Sequence, residues 1–227
     1  MRSVDPKHKV EHDLPSFLAD AMLGDIARKL RILGYDTTYI KDTSDSYVLQ
    51  AALKEKRILL TRDKELFKRV VKRGIQGILL EKQDETENIA YALTKNKIYR
   101  VSFNARTARC SLCNGIIEPR SSTEVKKQLP SNIVITHSKF FQCSNCGKAY
   151  WEGSHVSRLH MLAQKINGKI KKSSNESTAN LILDHDNKRL KSPQNKSNTI
   201  LNEQKSRVGE NSQQGFDTAT GRIYGSH

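Results

Sequence analysis

Two sets of side chains in this sequence have the types and spacing to do chemistry. The first is a series of acids, Asp20, Asp42, Asp45, Asp63, Glu81 and Asp84, each close behind a short apolar run. Carboxylates gathered in a partly desolvated site raise one another's pKa unless a divalent cation neutralises them. Oxygen ligands of this kind select Mg²⁺ or Mn²⁺. Such ions keep several waters and share a phosphate oxygen with a substrate, so two or three carboxylates are enough to hold them. The chemistry to expect is activation of water for in-line attack on a phosphodiester. Arg28, Arg62 and Lys64 stand beside these acids in sequence and are the candidates to clamp substrate phosphates.

The second set is the cysteines. All four fall into two CxxC pairs, Cys110-Ser-Leu-Cys113-Asn-Gly and Cys143-Ser-Asn-Cys146-Gly-Lys, each with a glycine soon after its second thiol. In a reducing compartment that pattern argues for a metal over disulfides. Four soft thiolates at this spacing suit tetrahedral Zn²⁺ in a zinc ribbon, with rubredoxin-like iron and a thiol redox pair as rivals. A closed Cys₄ site has no open coordination position, so its role is stability and not catalysis. Lys148, Tyr150, Trp151 and Arg158 gather beside the second pair. They suit stacking and charge contacts with single-stranded RNA, or the aromatic rings simply cover the ribbon.

Elements must position these groups. Apolar runs alternate with stretches of helical period, the pattern of strand-helix units feeding a parallel sheet. Strands are expected over residues 16–19, 37–40, 57–61 and 77–80, and helices over about 23–33, 45–54, 64–72 and 84–96. Leu23, Ile26, Leu30 and Leu33 form one apolar stripe, and Gly34 stands where a left-handed residue ends a helix. The expected fold class is α/β, a three-layer domain with a parallel sheet. Ligands bind such sheets at the carboxyl ends of the strands, and the acids fall there. The plainer reading is that an aspartate before a helix is an N-cap, with Asp84 and Glu87 resembling a capping box. Recurrence at every strand exit favours a site.

Beyond about residue 101 the helical period gives way to the CxxC motifs and short β-prone pieces such as residues 133–136. After about 167 the chain is rich in Lys, Asn, Ser and Gln, too polar to offset the entropy of ordering. The expected organisation is a flexible N-terminus (1–15), an α/β domain (16–101), a zinc ribbon module (102–166) and a disordered basic tail (167–227). The formal charge of +15 on 227 residues attracts acidic partners, nucleic acid foremost. No apolar run reaches the length of a membrane span, and the N-terminus lacks the apolar stretch of a signal peptide. The expected location is therefore cytoplasmic, with no membrane partner.

FLADAMLGDIARKLRILGYD (17–36), SDSYVLQAALKEKRILLTRD (44–63), CSLCNG (110–115) and CSNCGKAYWEGSH (143–155) together resemble the Mut-seven C-terminal RNase domain family. That is a PIN-like family with an appended zinc ribbon, and the likeness runs in the same order over about residues 17–160. It implies a PIN-like fold, metal-dependent cleavage of RNA, and an acidic site at Asp20, Asp45 and Asp63. The stretch around Asp84 fits the family's pattern less well, so no fourth acid is carried over. RNA is the expected partner, with a protein inhibitor or the ribosome as further candidates. The rival functions are a non-catalytic RNA-binding or ribosome-associated adaptor, in which the acids only cap helices, and a phospho-accepting receiver-like domain. The second lacks a convincing Lys and Thr/Ser pair after the later strands.

Overall fold

A computed structural model describes residues 14–190, with side chains to residue 173. Every described side chain falls in one compact unit, Met1–Asn180, and a second unit begins at Leu181. Four short apolar runs form β1 (Phe17–Ala19), β2 (Thr37–Tyr39), β3 (Ile58–Thr61) and β4 (Gly77–Leu79), all parallel. They are joined by α1 (Gly24–Ile32), α2 (Asp45–Lys54) and α3 (Lys64–Lys72), and α4 (Glu85–Lys95) follows β4. The sheet order is β2-β1-β3-β4. The chain steps from β1 outward to β2, then returns across β1 to reach β3. Direction therefore reverses between β1 and β3, and the crevice beyond their carboxyl ends is where an open parallel sheet receives a ligand.

The period of two along the strands sorts residues to the two faces. Phe17, Ala19, Ile58 and Leu60 pack with Leu23, Ile26 and Leu30 of the first helical stripe and with Ile89 and Leu93 of α4. Leu18 and Leu59 face the other way, onto Val48 and Leu49 of α2 and Leu66 and Val70 of α3. Burying a residue such as Leu30 or Leu59 from water is worth about 1.5–3 kcal/mol each, and both faces are filled this way. Gly34 follows α1 with φ +95°, and a Cβ there would meet the Thr107 carbonyl oxygen at 3.0 Å. The residue is thus required twice, for its backbone and for the close approach of the cysteine-bearing segment.

That segment is a separate antiparallel sheet, β5 (Ile117–Arg120), β6 (Phe140–Cys143) and β7 (Ala149–Trp151), in the order β5-β6-β7. Between β5 and β6 lie two short helices, α5 (Ser122–Val125) and α6 (Ser131–Thr136). The β-prone stretch 133–136 is therefore helical and not extended. Pro130 sits at the N-cap of α6, where its fixed φ suits a helix start, and none of the helix is buried, so Ile133 and Val134 meet no strand to pair with.

Order does not end near residue 166. Helix α7 (His155–Leu190) carries Ala163, Ile166 and Ile170, spaced three and four apart, into the core beneath α1 and α4. Asn167 donates to the Val101 carbonyl and accepts from the Val101 N–H, both at 2.9 Å. The expected disordered tail is thus corrected for residues 167–173, which are helical and anchored by Ile170, with Ile166 one residue before them. The remainder of that tail beyond 190, and residues 1–13 of the expected flexible N-terminus, lie outside the described residues. Among the described residues no helix is long and apolar enough to cross a membrane.

Candidate functional site

Asp20, Asp45 and Asp63 line one hollow of about 130 Å³, together with Asp42, Val48 and Leu66. Strand parity explains the meeting. Leu18 faces α2 and α3, so Asp20, two residues on, projects to the same side, where α2 opens with Asp45 and α3 is capped by Asp63. Asp20 is 6% exposed. Its carboxylate accepts hydrogen bonds from the Thr61 hydroxyl and from the Met22 N–H at 3.1 Å. Burial pushes the Asp20 carboxyl above its ordinary pKa. The Thr61 hydroxyl and the backbone N–H groups of Met22 and Arg62 hold it back in part, while the charge on Asp63 adds to the rise.

The other acids are engaged differently. Asp63 caps α3, its Oδ1 accepting from the N–H groups of Glu65 at 2.7 Å and Leu66 at 3.1 Å. Asp45 pairs through Oδ2 with Arg69 at 2.7 Å. Asp84 caps α4 and Glu81 pairs with Lys64 at 3.2 Å. Neither lines the hollow. The plainer reading of the acids therefore holds at Asp20, Asp63 and Asp84, which are all N-caps. Capping and lining the hollow coincide at Asp20 and Asp63.

Arg28, Arg62 and Lys64 do not line the acidic hollow. Proximity in sequence does not carry over here, because successive residues around a strand exit or a helix point in different directions. Arg28 pairs with Asp25 at 2.9 Å. Arg28 and Arg62 line an adjoining hollow, and Met22 borders both. Sequence reasoning missed Thr61 and Arg69. The signal for Thr61 was a polar residue closing an otherwise apolar strand, in parity with Leu59.

The four cysteines form a tighter group. Their sulfurs all lie within 4.8 Å of one another, with Cys110 to Cys146 at 3.6 Å and Cys113 to Cys143 at 3.4 Å. A tetrahedron with metal–sulfur bonds of about 2.3 Å has edges of about 3.8 Å, so the donor set fits a metal such as zinc. Among the described residues it is the one group of three or more Cys, His, Asp or Glu drawn so close. Burial disfavours the Cys110 thiolate, but hydrogen bonds from the Tyr150 hydroxyl and the N–H groups of Cys113 and Leu112 outweigh it and bring the thiol down to about 6. Tyr150 lies over the thiols, its hydroxyl 3.1 Å from Cys110 Sγ and 3.3 Å from Ser111 Oγ. Trp151 packs edge-on against His155, with ring centroids 5.7 Å apart. Tyr150 thus covers the thiols, and Trp151 packs on the first residue of the helix that follows.

The cysteine segment is fastened to the parallel sheet by polar side chains. Buried Arg31 of α1 donates to the Thr37 carbonyl at 2.8 Å and to the Ser111 and Leu112 carbonyls at 3.2 and 3.0 Å. Asn114 accepts from the Thr37 N–H at 3.0 Å and donates to Asp36 at 2.7 Å. Asp36 is also paired with Arg57 at 2.6 Å and Arg109 at 3.5 Å. Burial acts against its charge, but those partners hold the carboxyl below its ordinary pKa. Asp36 is thus a fastening residue, remote in role from the hollow.

A family model described as the Mut7-C RNAse domain matches residues 15–163, more than half of the chain. No curated protein and no solved structure matches it.

Proposed function

This chain belongs to the Mut7-C RNAse domain family, and from that premise we propose that it is a PIN-like, Mg²⁺- or Mn²⁺-dependent ribonuclease cutting RNA phosphodiesters at the Asp20 hollow. One observation carries the metal dependence. Asp20 is a buried carboxylate whose hydrogen-bond partners are a hydroxyl and backbone amides, with no cationic side chain among them. A buried charge without a counter-charge is costly, and Asp45 and Asp63 on the same wall add to the negative field. A small divalent cation answers that need.

Asp20, Asp45 and Asp63 would hold the ion, directly or through its waters. When bound, it supplies Lewis acidity, lowering the pKa of a water and neutralising charge on the phosphate. The chain's own residues do the rest. The Thr61 hydroxyl fixes the orientation of Asp20, the α3 cap fixes Asp63, and Arg69 holds Asp45 in register until a cation competes for it. We propose in the same way that Zn²⁺ sits on Cys110, Cys113, Cys143 and Cys146, making this segment a structural zinc ribbon. Lys64, 71% exposed and paired with Glu81, is left for outer contacts with RNA.

The capping role of Asp20, Asp63 and Asp84 favours one second reading, an RNA-binding adaptor without catalysis. A single experiment separates them. Purified protein, Asp20→Asn and Asp63→Asn are each incubated with unstructured RNA and Mn²⁺ or EDTA. The ribonuclease cuts only as the unsubstituted protein with Mn²⁺. The adaptor leaves RNA intact in every lane and binds it equally in all three forms.

A further inference from the structure

We infer that the hollow beside the acidic one is a second phosphate site, in which Arg62 binds the phosphodiester neighbouring the one that is cut. This deepens the ribonuclease reading and rests on it. The starting observation is a disparity among arginines. Among the described residues, Arg31, Arg57, Arg69, Arg109 and Arg120 are buried or half-buried. Each gives its guanidinium N–H groups to a carboxylate or a carbonyl. Arg62 is also half-buried, yet its Nε is shielded from solvent and has no acceptor. A guanidinium cannot shed its charge, and a shielded donor left without an acceptor costs about 1–3 kcal/mol. An unsatisfied group of this kind in a native fold needs an explanation, and an ordered water or a bound ion is the usual one.

The surroundings say which ligand. Arg62 lines an open hollow of about 440 Å³ shared with Arg28, Arg31 and Tyr39. The acids on that wall are already matched, Asp25 by Arg28 at 2.9 Å and Glu85 by Lys29. The bonds of Arg31 go to carbonyls. The charge on Arg62 is therefore not cancelled locally, and the site favours an anion. Met22, 66% exposed, borders this hollow and the acidic one alike. The Tyr39 hydroxyl, bonded to the Ala21 carbonyl at 3.0 Å, fixes the wall there. In the chain Arg62 stands between Thr61, which binds Asp20, and Asp63. A strand of RNA laid across Met22 places one phosphate at the carboxylates and the next at a planar fork suited to bidentate contact with phosphate oxygens.

The test measures binding apart from cleavage. A labelled RNA oligonucleotide is titrated by fluorescence anisotropy against Asp20→Asn, and against Asp20→Asn carrying Arg62→Met or Arg62→Lys, at two salt concentrations. Arg62→Met keeps the apolar stem and is expected to weaken binding about tenfold and to flatten the salt dependence by about 0.7 in log–log slope, the share of one phosphate contact on a single strand. Arg62→Lys is expected to restore the slope and only part of the affinity, because a point charge replaces the fork. Melting temperatures no lower than that of Asp20→Asn establish that the fold is intact. If the unsubstituted protein cuts RNA while Arg62→Met binds as tightly as its parent with the same slope, this inference fails alone. If the unsubstituted protein cuts no RNA, the ribonuclease reading fails and this inference falls with it.

Discussion

The cysteine cluster and the acidic hollow are two candidate metal sites in one compact unit, and they are built on opposite plans. The cysteine sulfurs already lie within 4.8 Å of one another, and the segment that carries them is fixed by Arg31 and Asn114. The carboxylates of Asp20, Asp45 and Asp63 share a hollow but are not drawn into so close a group. Like-charged carboxylates repel one another and find other partners, a helix start for Asp63 and Arg69 for Asp45. The cysteine cluster holds four donors at metal-ligand spacing, whereas the acids that line the hollow are engaged with other partners.

On the proposed reading, removing metal from the two sites is expected to have unequal consequences. Chelation of zinc, or Cys113→Ser, is expected to melt the β5-β6-β7 sheet and to weaken the parallel sheet it is fastened to. Structural zinc binds with an apparent energy of about 10–16 kcal/mol. Thermal melts alongside zinc stoichiometry check this, and an unchanged melt with zinc gone would show that the cluster is not structural. Next in size is cleavage by Asp20→Asn, expected to fall by about a hundredfold or more, since several kcal/mol of charge stabilisation depend on the ion. Initial rates with saturating Mn²⁺ decide it.

A smaller effect sharpens the comparison through stability. Folded Asp20 holds its proton more tightly than the unfolded chain, because burial raises its pKa. Its ionisation therefore destabilises the fold at neutral pH, and the penalty is relieved as pH falls through the folded pKa. Without divalent ions Asp20→Asn is expected to be about 0.5–2 kcal/mol more stable than the parent at pH 7, with the gap closing in acid. Adding Mn²⁺ should raise the melting temperature of the parent and leave that of Asp20→Asn unmoved. The reverse ordering of the two proteins in melts across pH would contradict an uncompensated charge at Asp20. The smallest effect on stability concerns Asp63. Asn caps a helix about as well as Asp, whereas Ala forfeits about 1 kcal/mol. Asp63→Asn should therefore keep its stability and lose cleavage, and Asp63→Ala should lose both. Chemical denaturation of the pair tells capping from catalysis.

Much of the parallel sheet was legible because its signals are local. The stripe at Leu23, Ile26, Leu30 and Leu33, the four apolar runs and the limits of α2 and α3 all follow from periodicity and caps. The convergence of Asp20, Asp45 and Asp63 on one hollow was legible from the rule about strand ends. What escaped was either long-range or masked by composition. Nothing near Arg31 reveals that its acceptors stand at Ser111 and Leu112. Likewise the bond of Thr61 to Asp20 depends on strand order and not on either neighbourhood. Ile166 and Ile170 were overlooked among lysines and asparagines, although with Ala163 they have helical spacing. Ile133 and Val134 misled because β-branched residues form strands only beside a partner.

The insertion of α7 into the core has a consequence for the order of events during synthesis. The layer containing Phe17 and Leu30 is closed by Ile166 and Ile170, so the parallel sheet lacks that wall until α7, the last helix among the described residues, has left the ribosome. At roughly 5–20 residues per second that interval is on the order of ten seconds. Throughout it the layer of the nascent sheet that Ile166 and Ile170 cover lacks those partners.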